Sequence, residues 1–203
     1  MLSPMDWGMS APYLLAALFA GYLIGSIPFG LLLTRIAGLG DIRAIGSGNI
    51  GATNVLRTGN KMLALLTLLL DGGKGSVAVL IAQNYGADVT VCAALGAFAG
   101  HVFPVWLRFK GGKGVATFFG IGLALNPIVG VAGCATWLIV AAISRISSAA
   151  ALSAAALTPL YFWFAGQPQL AQLAVLLAVC IFYTHRENIS RLRRGVEPKI
   201  GAR

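Results

Sequence analysis

Seven apolar runs take up most of this chain: Tyr13–Ile36, Met62–Tyr85, Val89–Leu107, Val115–Leu125, Pro127–Ile143, Ser148–Phe164 and Leu170–Tyr183. The first two comfortably exceed the roughly 20 residues that carry a helix across a bilayer, whereas Val115–Leu125 is short. Hydrocarbon offers no water to backbone groups, so runs of this kind must satisfy their own N–H and C=O groups as helices. The two-residue alternation of a membrane barrel is absent. Charged residues make up only 10% of the chain, against about 25% in a soluble domain whose surface must be wetted. The prediction is a single integral-membrane domain over residues 1–203, an all-α polytopic bundle of about seven transmembrane helices.

The formal net charge is +9. In a soluble protein that excess would suggest nucleic acid, but here the cations lie between apolar runs. Arg35, Arg43, Arg57 and Lys61 follow the first run, Arg108, Lys110 and Lys113 the third, and Arg145 the fifth. Arg186, Arg191, Arg193, Arg194, Lys199 and Arg203 follow the seventh, so that of the 15 Lys and Arg only Lys74 lies elsewhere. The intervening connections, Met1–Ser10, Gln83–Asp88, Asn126 and Gly166–Gln169, carry no Lys or Arg. Positive residues stay in the cytoplasm, so the N-terminus is expected outside and the C-terminus inside, with no nucleic-acid partner. The alternation holds only if the short run Val115–Leu125 counts as a crossing. With no basic stretch ahead of the first run, no cleaved signal peptide is expected.

Gly21-Tyr-Leu-Ile-Gly25 and Gly96-Ala-Phe-Ala-Gly100 are small-xxx-small patterns that permit close helix contact. Cys92, Cys134 and Cys180 each stand alone in apolar surroundings, with no metal-ligand spacing, so neither disulfide, metal nor cofactor is expected.

Three polar loops carry chemistry. Gly46-Ser-Gly-Asn-Ile-Gly-Ala-Thr-Asn54, with Arg57 beyond it, fits G-x-G-x-x-G literally. A dinucleotide fingerprint needs a preceding strand, and here an apolar helix precedes it. The pattern still suits an anion: Gly46, Gly48 and Gly51 let N–H groups converge, and Ser47, Asn49, Thr53 and Asn54 add neutral donors. Arg108-Phe-Lys-Gly-Gly-Lys-Gly114 is no Walker A loop, because Leu107 stands where the first glycine should be and Gly114 where Ser or Thr should follow the lysine. It is nevertheless a cationic loop of Gly111, Gly112, Lys113 and Gly114 feeding a helix N-terminus, a general recipe for phosphate. In the third, Thr184-His-Arg-Glu-Asn-Ile-Ser-Arg191, a helix would put His185 and Asn188 on one face. Asp71 and Lys74 interrupt the second run within Asp71-Gly-Gly-Lys-Gly75. They form either a structural ion pair at a helix break or part of a site, facing the bundle interior in both cases. His101 is expected to support the site from outside it.

The blocks Gly46–Asn54 with Arg57, Gly100-His-Val-Phe-Pro104, Lys110-Gly-Gly-Lys-Gly-Val-Ala-Thr117 and His185-Arg-Glu-Asn188 together resemble the bacterial acyl-phosphate:glycerol-3-phosphate acyltransferase family, in order and over nearly the whole chain. The resemblance implies transfer of a fatty acyl group from acyl phosphate to the first hydroxyl of glycerol-3-phosphate, giving lysophosphatidic acid and inorganic phosphate in phospholipid synthesis. It also implies a multi-pass protein of the cell inner membrane, embedded in lipid, with a site facing the cytoplasm. An acyl-phosphate-producing enzyme is a possible partner. Ser47, Asn49, Thr53, Asn54, Arg57, Lys113, His185 and Asn188 would surround the two phosphorylated substrates, with Gly48, Gly111, Gly112, Gly114 and Arg186 beside them. The His-x-x-x-x-Asp dyad of acyl-CoA-dependent enzymes is absent, since Trp106 and Ser190 stand five residues after His101 and His185.

Two phosphates repel by about 4 kcal/mol per charge pair at 4 Å in an intermediate dielectric. Arg57, Lys113 and Arg186 are expected to offset this. His185 could take the hydroxyl proton, although the donor's own phosphate is the preferred acceptor. The competing classes are a transporter of organic phosphate and a scaffold whose tail Arg191–Arg203 binds anionic lipid.

Overall fold

In a computed structural model of the protein, residues 7–201 are described, and among them every regular element is helical. The first apolar run supplies α1 (Trp7–Gly25) and α2 (Phe29–Ile36), and the short α3 (Ala52–Val55) lies in the loop after them. The later runs supply α4 (Lys61–Ala82), α5 (Ala87–Val102), α6 (Val115–Leu125), α7 (Pro127–Ser144), α8 (Ser147–Phe164) and α9 (Pro168–Thr184). The chain closes with α10 (Arg186–Arg193). Met1–Asp6 of the cation-free N-terminal stretch, and Arg203, lie outside the described residues, and with them the expected position of the N-terminus.

Four segments are long and apolar enough to cross a bilayer: Ala11–Ile36, Lys61–Tyr85, Ala87–Leu107 and Pro127–Ser144. The pair α9 and α10, bent by 64°, makes a fifth if taken as one span. At 1.5 Å per residue α6 is only about 16 Å long, roughly half the hydrocarbon thickness. The outward surface is apolar: Leu69 is 59% exposed, Ile128 82%, Ile143 80% and Phe164 83%. Water would not tolerate so much contiguous apolar surface, and lipid does.

Inside the bundle, small residues set the distances. α1 and α5 run parallel through the two glycine pairs, where a Cβ on Gly25 would lie 1.9 Å from the Ala97 carbonyl oxygen and one on Gly100 2.2 Å from that of Tyr22. Packing, rather than expulsion from water, joins helices in lipid, so backbones must come close.

Two expectations need correction. The second run is not broken at Asp71–Gly75, because α4 is continuous there. The glycines let α6 approach: a Cβ on Gly120 would sit 1.9 Å from the Gly72 carbonyl oxygen, and Ser76 donates to that of Gly120 at 2.8 Å. Tertiary contact thus overrides the weak helix propensity of glycine. The interruption falls instead in the first run, at Ser26–Pro28, where proline offers no N–H. The carbonyls left over are covered from elsewhere, Ser26 by Trp106 Nε1 and Ile27 by Lys74 Nζ, each at 2.8 Å.

The short α6 sets the depth of the loop that leads into it. It runs alongside α4 in the same direction, with Thr117 donating to the Asp71 carbonyl and Gln83 to that of Ala124. Asp71 lies about 15 Å along α4 from Lys61. α6 therefore starts midway along α4, and the loop Phe103–Gly114 fills the remaining height.

Candidate functional site

The three polar loops meet at one end of the bundle. In the first, Asn54 is 2% exposed and spends its whole amide on the loop. Its Nδ2 donates to the carbonyls of Ile42, Ile45 and Asn49, and its Oδ1 accepts from Ser47 N–H. Asn49 Oδ1 accepts from Gly51 N–H at 2.9 Å. Both asparagines therefore shape the cradle with these groups. Gly46 (φ +56°) and Gly48 (φ +67°) hold left-handed turns that favour glycine. The exposed groups are Ser47, Gly48, Thr53 and Arg57. Thr53 Oγ1 reaches Ser147 Oγ at the start of α8, 3.3 Å away. Arg57 lies over Gly46, where a Cβ would meet its Nη1 at 2.6 Å.

The second loop folds back on the end of α5. Gly111 N–H donates to the Val102 carbonyl and Gly112 N–H to that of His101, each at 3.0 Å. These two donors close the α5 terminus, while Gly114 (φ +87°) caps α6 with no room for a side chain beside the Phe98 ring. Lys113 projects from this socket, and its Nζ donates to Asn188 Oδ1. Its own carbonyl accepts from Thr184 Oγ1 at 3.1 Å, so the loop is tied by its backbone to the end of α9 and by its side chain to Asn188, in the helix that follows.

The third loop turns at His185, the cap between α9 and α10. The imidazole is 3% exposed, and its Nδ1 lies 2.8 Å from the Ile181 carbonyl oxygen. A carbonyl can only accept, so Nδ1 carries the proton and Nε2 keeps a lone pair. Burial above all, with the Lys113 charge nearby, lowers the His185 pKa from the ordinary 6.5 to about 4, so the ring is neutral at physiological pH. Asn188 connects the charges: its Nδ2 donates to Glu197 Oε1. That oxygen also accepts from Ser148 Oγ at 2.7 Å, and Glu197 Oε2 accepts from Arg191 Nε at 2.6 Å.

Of the expected residues, Lys113 and Asn188 are in contact, His185 and Arg57 stand close enough to act on Lys113 or be acted on by it, and Ser47, Gly48 and Thr53 form the exposed part of the first loop. Arg186 is not among them. It is exposed, donates to the Tyr183 carbonyl, and lies 4.8 Å over that ring. Two positions from Asn188 on a helix, it faces away. Arg191 takes its place. Sequence reasoning missed Glu197, Ser148 and Arg191 as members of this cluster. The available signal was one carboxylate in an otherwise basic tail.

Electrostatically the site is short of anions. Burial lowers the Lys113 pKa, and Arg191 and Arg57 lower it further, with Glu197 and Glu187 opposing. Burial alone would raise Glu197, but hydrogen bonds from Asn188, Ser148 and Arg191 outweigh it and hold the carboxyl below its ordinary value. Three cations, Lys113, Arg57 and Arg191, against two carboxylates, Glu197 and Glu187, leave positive charge uncompensated, which a bound phosphate would neutralise.

The family model described as glycerol-3-phosphate acyltransferase matches residues 15–195. The chain is 58% identical over 190 residues to a glycerol-3-phosphate acyltransferase of Mesorhizobium japonicum, covering 94% of this chain and 97% of that one. It is 60% identical over 182 residues to one from Cereibacter sphaeroides, covering 89% and 87%. Its fold is similar to the crystal structure of PlsY (YgiH), an integral membrane glycerol 3-phosphate acyltransferase, in the glycerol 3-phosphate form. The TM-score is 0.88 at 38% identity, over 93% of this chain and 96% of that one. The lysophosphatidic acid form of PlsY gives a TM-score of 0.84 at 37% identity, over 93% and 95%.

Proposed function

The chain belongs to the glycerol-3-phosphate acyltransferase family, and from that membership we propose that it acylates glycerol-3-phosphate with acyl phosphate as donor. The products are lysophosphatidic acid and inorganic phosphate. One observation carries the reading: three basic loops, far apart in sequence, converge on the Lys113–Asn188 contact with more positive than negative charge around it.

In the proposed reaction the glycerol hydroxyl oxygen attacks the acyl carbon. The acyl carbon–oxygen bond to phosphate breaks, and the phosphate leaves with that electron pair. The hydroxyl proton passes to a phosphate oxygen of the donor. No covalent enzyme intermediate is needed, since acyl phosphate is already an activated anhydride. Lys113, Arg57 and Arg191 neutralise the two phosphates and hold them side by side, and proximity with charge neutralisation supplies most of the acceleration. The Ser47 and Thr53 hydroxyls donate to phosphate from the first loop, which Asn49, Asn54 and the bond from Gly48 N–H to the Ile45 carbonyl hold in shape. Lys113, Gly114 and the first turn of α6 donate from the second, and Gly111 and Gly112 seat that loop. His185, neutral and with only an acceptor free, orients glycerol-3-phosphate by accepting from its second, non-reacting hydroxyl through Nε2.

The whole chain acts as one domain of seven crossings in the cell inner membrane, with α6 and its preceding loop sharing one crossing. The site faces the cytoplasm and the acyl chain lies toward the inner leaflet. This follows from the basic loops at one end and the cation-free connections at the other.

The test uses purified protein in detergent with acyl phosphate and labelled glycerol-3-phosphate, without acyl-CoA. Labelled lysophosphatidic acid is expected. Absence of product, with uptake of the labelled phosphate by sealed vesicles, would replace the enzyme with a transporter. Lys113→Ala and Arg57→Ala should each lower kcat/KM by about 100-fold or more, as loss of a charge-assisted phosphate contact does. If His185→Gln binds both substrates normally but loses the acid limb of the pH–rate profile, His185 rather than the donor phosphate is the base.

A further inference from the structure

Asp71, Lys74 and His101 lie in the middle of the bundle, and the proposed reaction uses none of them. Lys74 Nζ donates to Asp71 Oδ1 at 2.7 Å and to the Ile27 carbonyl at 2.8 Å, where α1 gives way to α2. Thr117 at the start of α6 donates to the Asp71 carbonyl. His101, 3% exposed, has Nδ1 3.7 Å from Asp71 Oδ1. That is too far for a hydrogen bond, and His101 Nδ1 is the one buried side-chain polar atom among the described residues without a partner.

The other ring nitrogen faces the cationic loop. A Cβ on Gly112 would lie 2.1 Å from His101 Nε2, and one on Gly111 2.1 Å from the His101 carbonyl oxygen. The loop therefore needs both glycines to sit on His101. A buried nitrogen without a partner costs stability, and an apolar ring of similar size would fill the same space. Packing alone does not explain a histidine here.

We propose that His101 is a positioning residue for Lys113: the imidazole, held between the Asp71–Lys74 ion pair and Gly112, fixes the height and direction from which Lys113 reaches the phosphates. Lys113 follows Gly112 directly, and its ammonium must meet Asn188 and a substrate phosphate together. A shift of about 1 Å is enough to degrade such a site. This rests on the acyl-transfer reading for its main readout, though the geometry stands without it.

The experiment compares His101→Phe and His101→Gln with the wild type in the full-length protein, measuring kcat, KM for each substrate and Tm. His101→Phe is expected to keep or raise Tm, since it removes the unpartnered nitrogen, and to raise KM for at least one phosphorylated substrate about tenfold. His101→Gln, which keeps a polar group between Asp71 and Gly112, should stay within about threefold of wild type. Wild-type kcat and KM for both substrates in His101→Phe would overturn the assignment, as would a loss of activity that tracks Tm across both variants. If His101→Phe fails to fold, Asp71→Asn is read the same way. Should the wild type make no product, equilibrium binding of inorganic phosphate replaces the assay. Unchanged affinity in His101→Phe then counts against positioning, and weaker affinity supports it independently of the reaction.

Discussion

Asn188 holds two opposite charges with one amide, its oxygen toward Lys113 and its nitrogen toward Glu197. Asn188→Ala would leave a half-buried ammonium and a half-buried carboxylate each short of a partner. Hydrogen bonds to charged groups are worth about 1.5–3 kcal/mol, so kcat/KM should fall by about 10- to 150-fold, with Tm reduced as well. His185 yields a prediction of a different kind. Its pKa lies at about 4 in the folded protein against the ordinary 6.5. The unfolded chain therefore binds more protons between those values, and stability is lost as pH falls through that window. The difference amounts to about 3 kcal/mol. Thermal melts of the detergent-solubilised protein between pH 7 and pH 4 should show a decline that is shallower in His185→Gln. The sequence made these residues visible as polar types at a helix end. It could not show that His185 caps a bend rather than sharing a helical face with Asn188, because the 64° turn between α9 and α10 depends on contacts with Lys113, far away in the chain.

At the scale of elements, glycines on the paired helices α4 and α6 play different parts. Gly73 has nothing near its missing Cβ, whereas Gly120 on α6 meets the Gly72 backbone. Gly73→Ala should raise helix stability by up to about 1 kcal/mol, and Gly120→Ala should cost about 1–3 kcal/mol through overpacking. Melting temperatures of the two variants, moving in opposite directions, check this. The bounds of α6 were readable because Gly114 stops the helix on one side and Asn126-Pro127 starts the next on the other. The glycine pairs marked α1 and α5 as helices that pack closely, and the structure shows that they pack on each other. The break at Ser26–Pro28 was not readable, since its stray carbonyls are covered by Trp106 and Lys74 from other helices. Glu197 was hidden for the same reason: its partners Ser148 and Asn188 come from separate elements.

For the molecule as a whole, the uneven distribution of cations makes a topological prediction. In a background without the native cysteines, Cys replacing Asp88 should react with a membrane-impermeant maleimide added to intact cells once the outer barrier is opened. Cys replacing Gly195 should react only after the inner membrane is permeabilised. The reverse pattern would invert the proposed orientation. Because α6 begins midway along α4, the reactive ends of the two substrates would meet beneath the headgroups. In the proposed reaction, products formed at that depth would have separate ways out: inorganic phosphate to the aqueous side, and the acylated glycerol sideways into the leaflet. A soluble substrate and an oily one can then react repeatedly without either crossing fully into the other's phase.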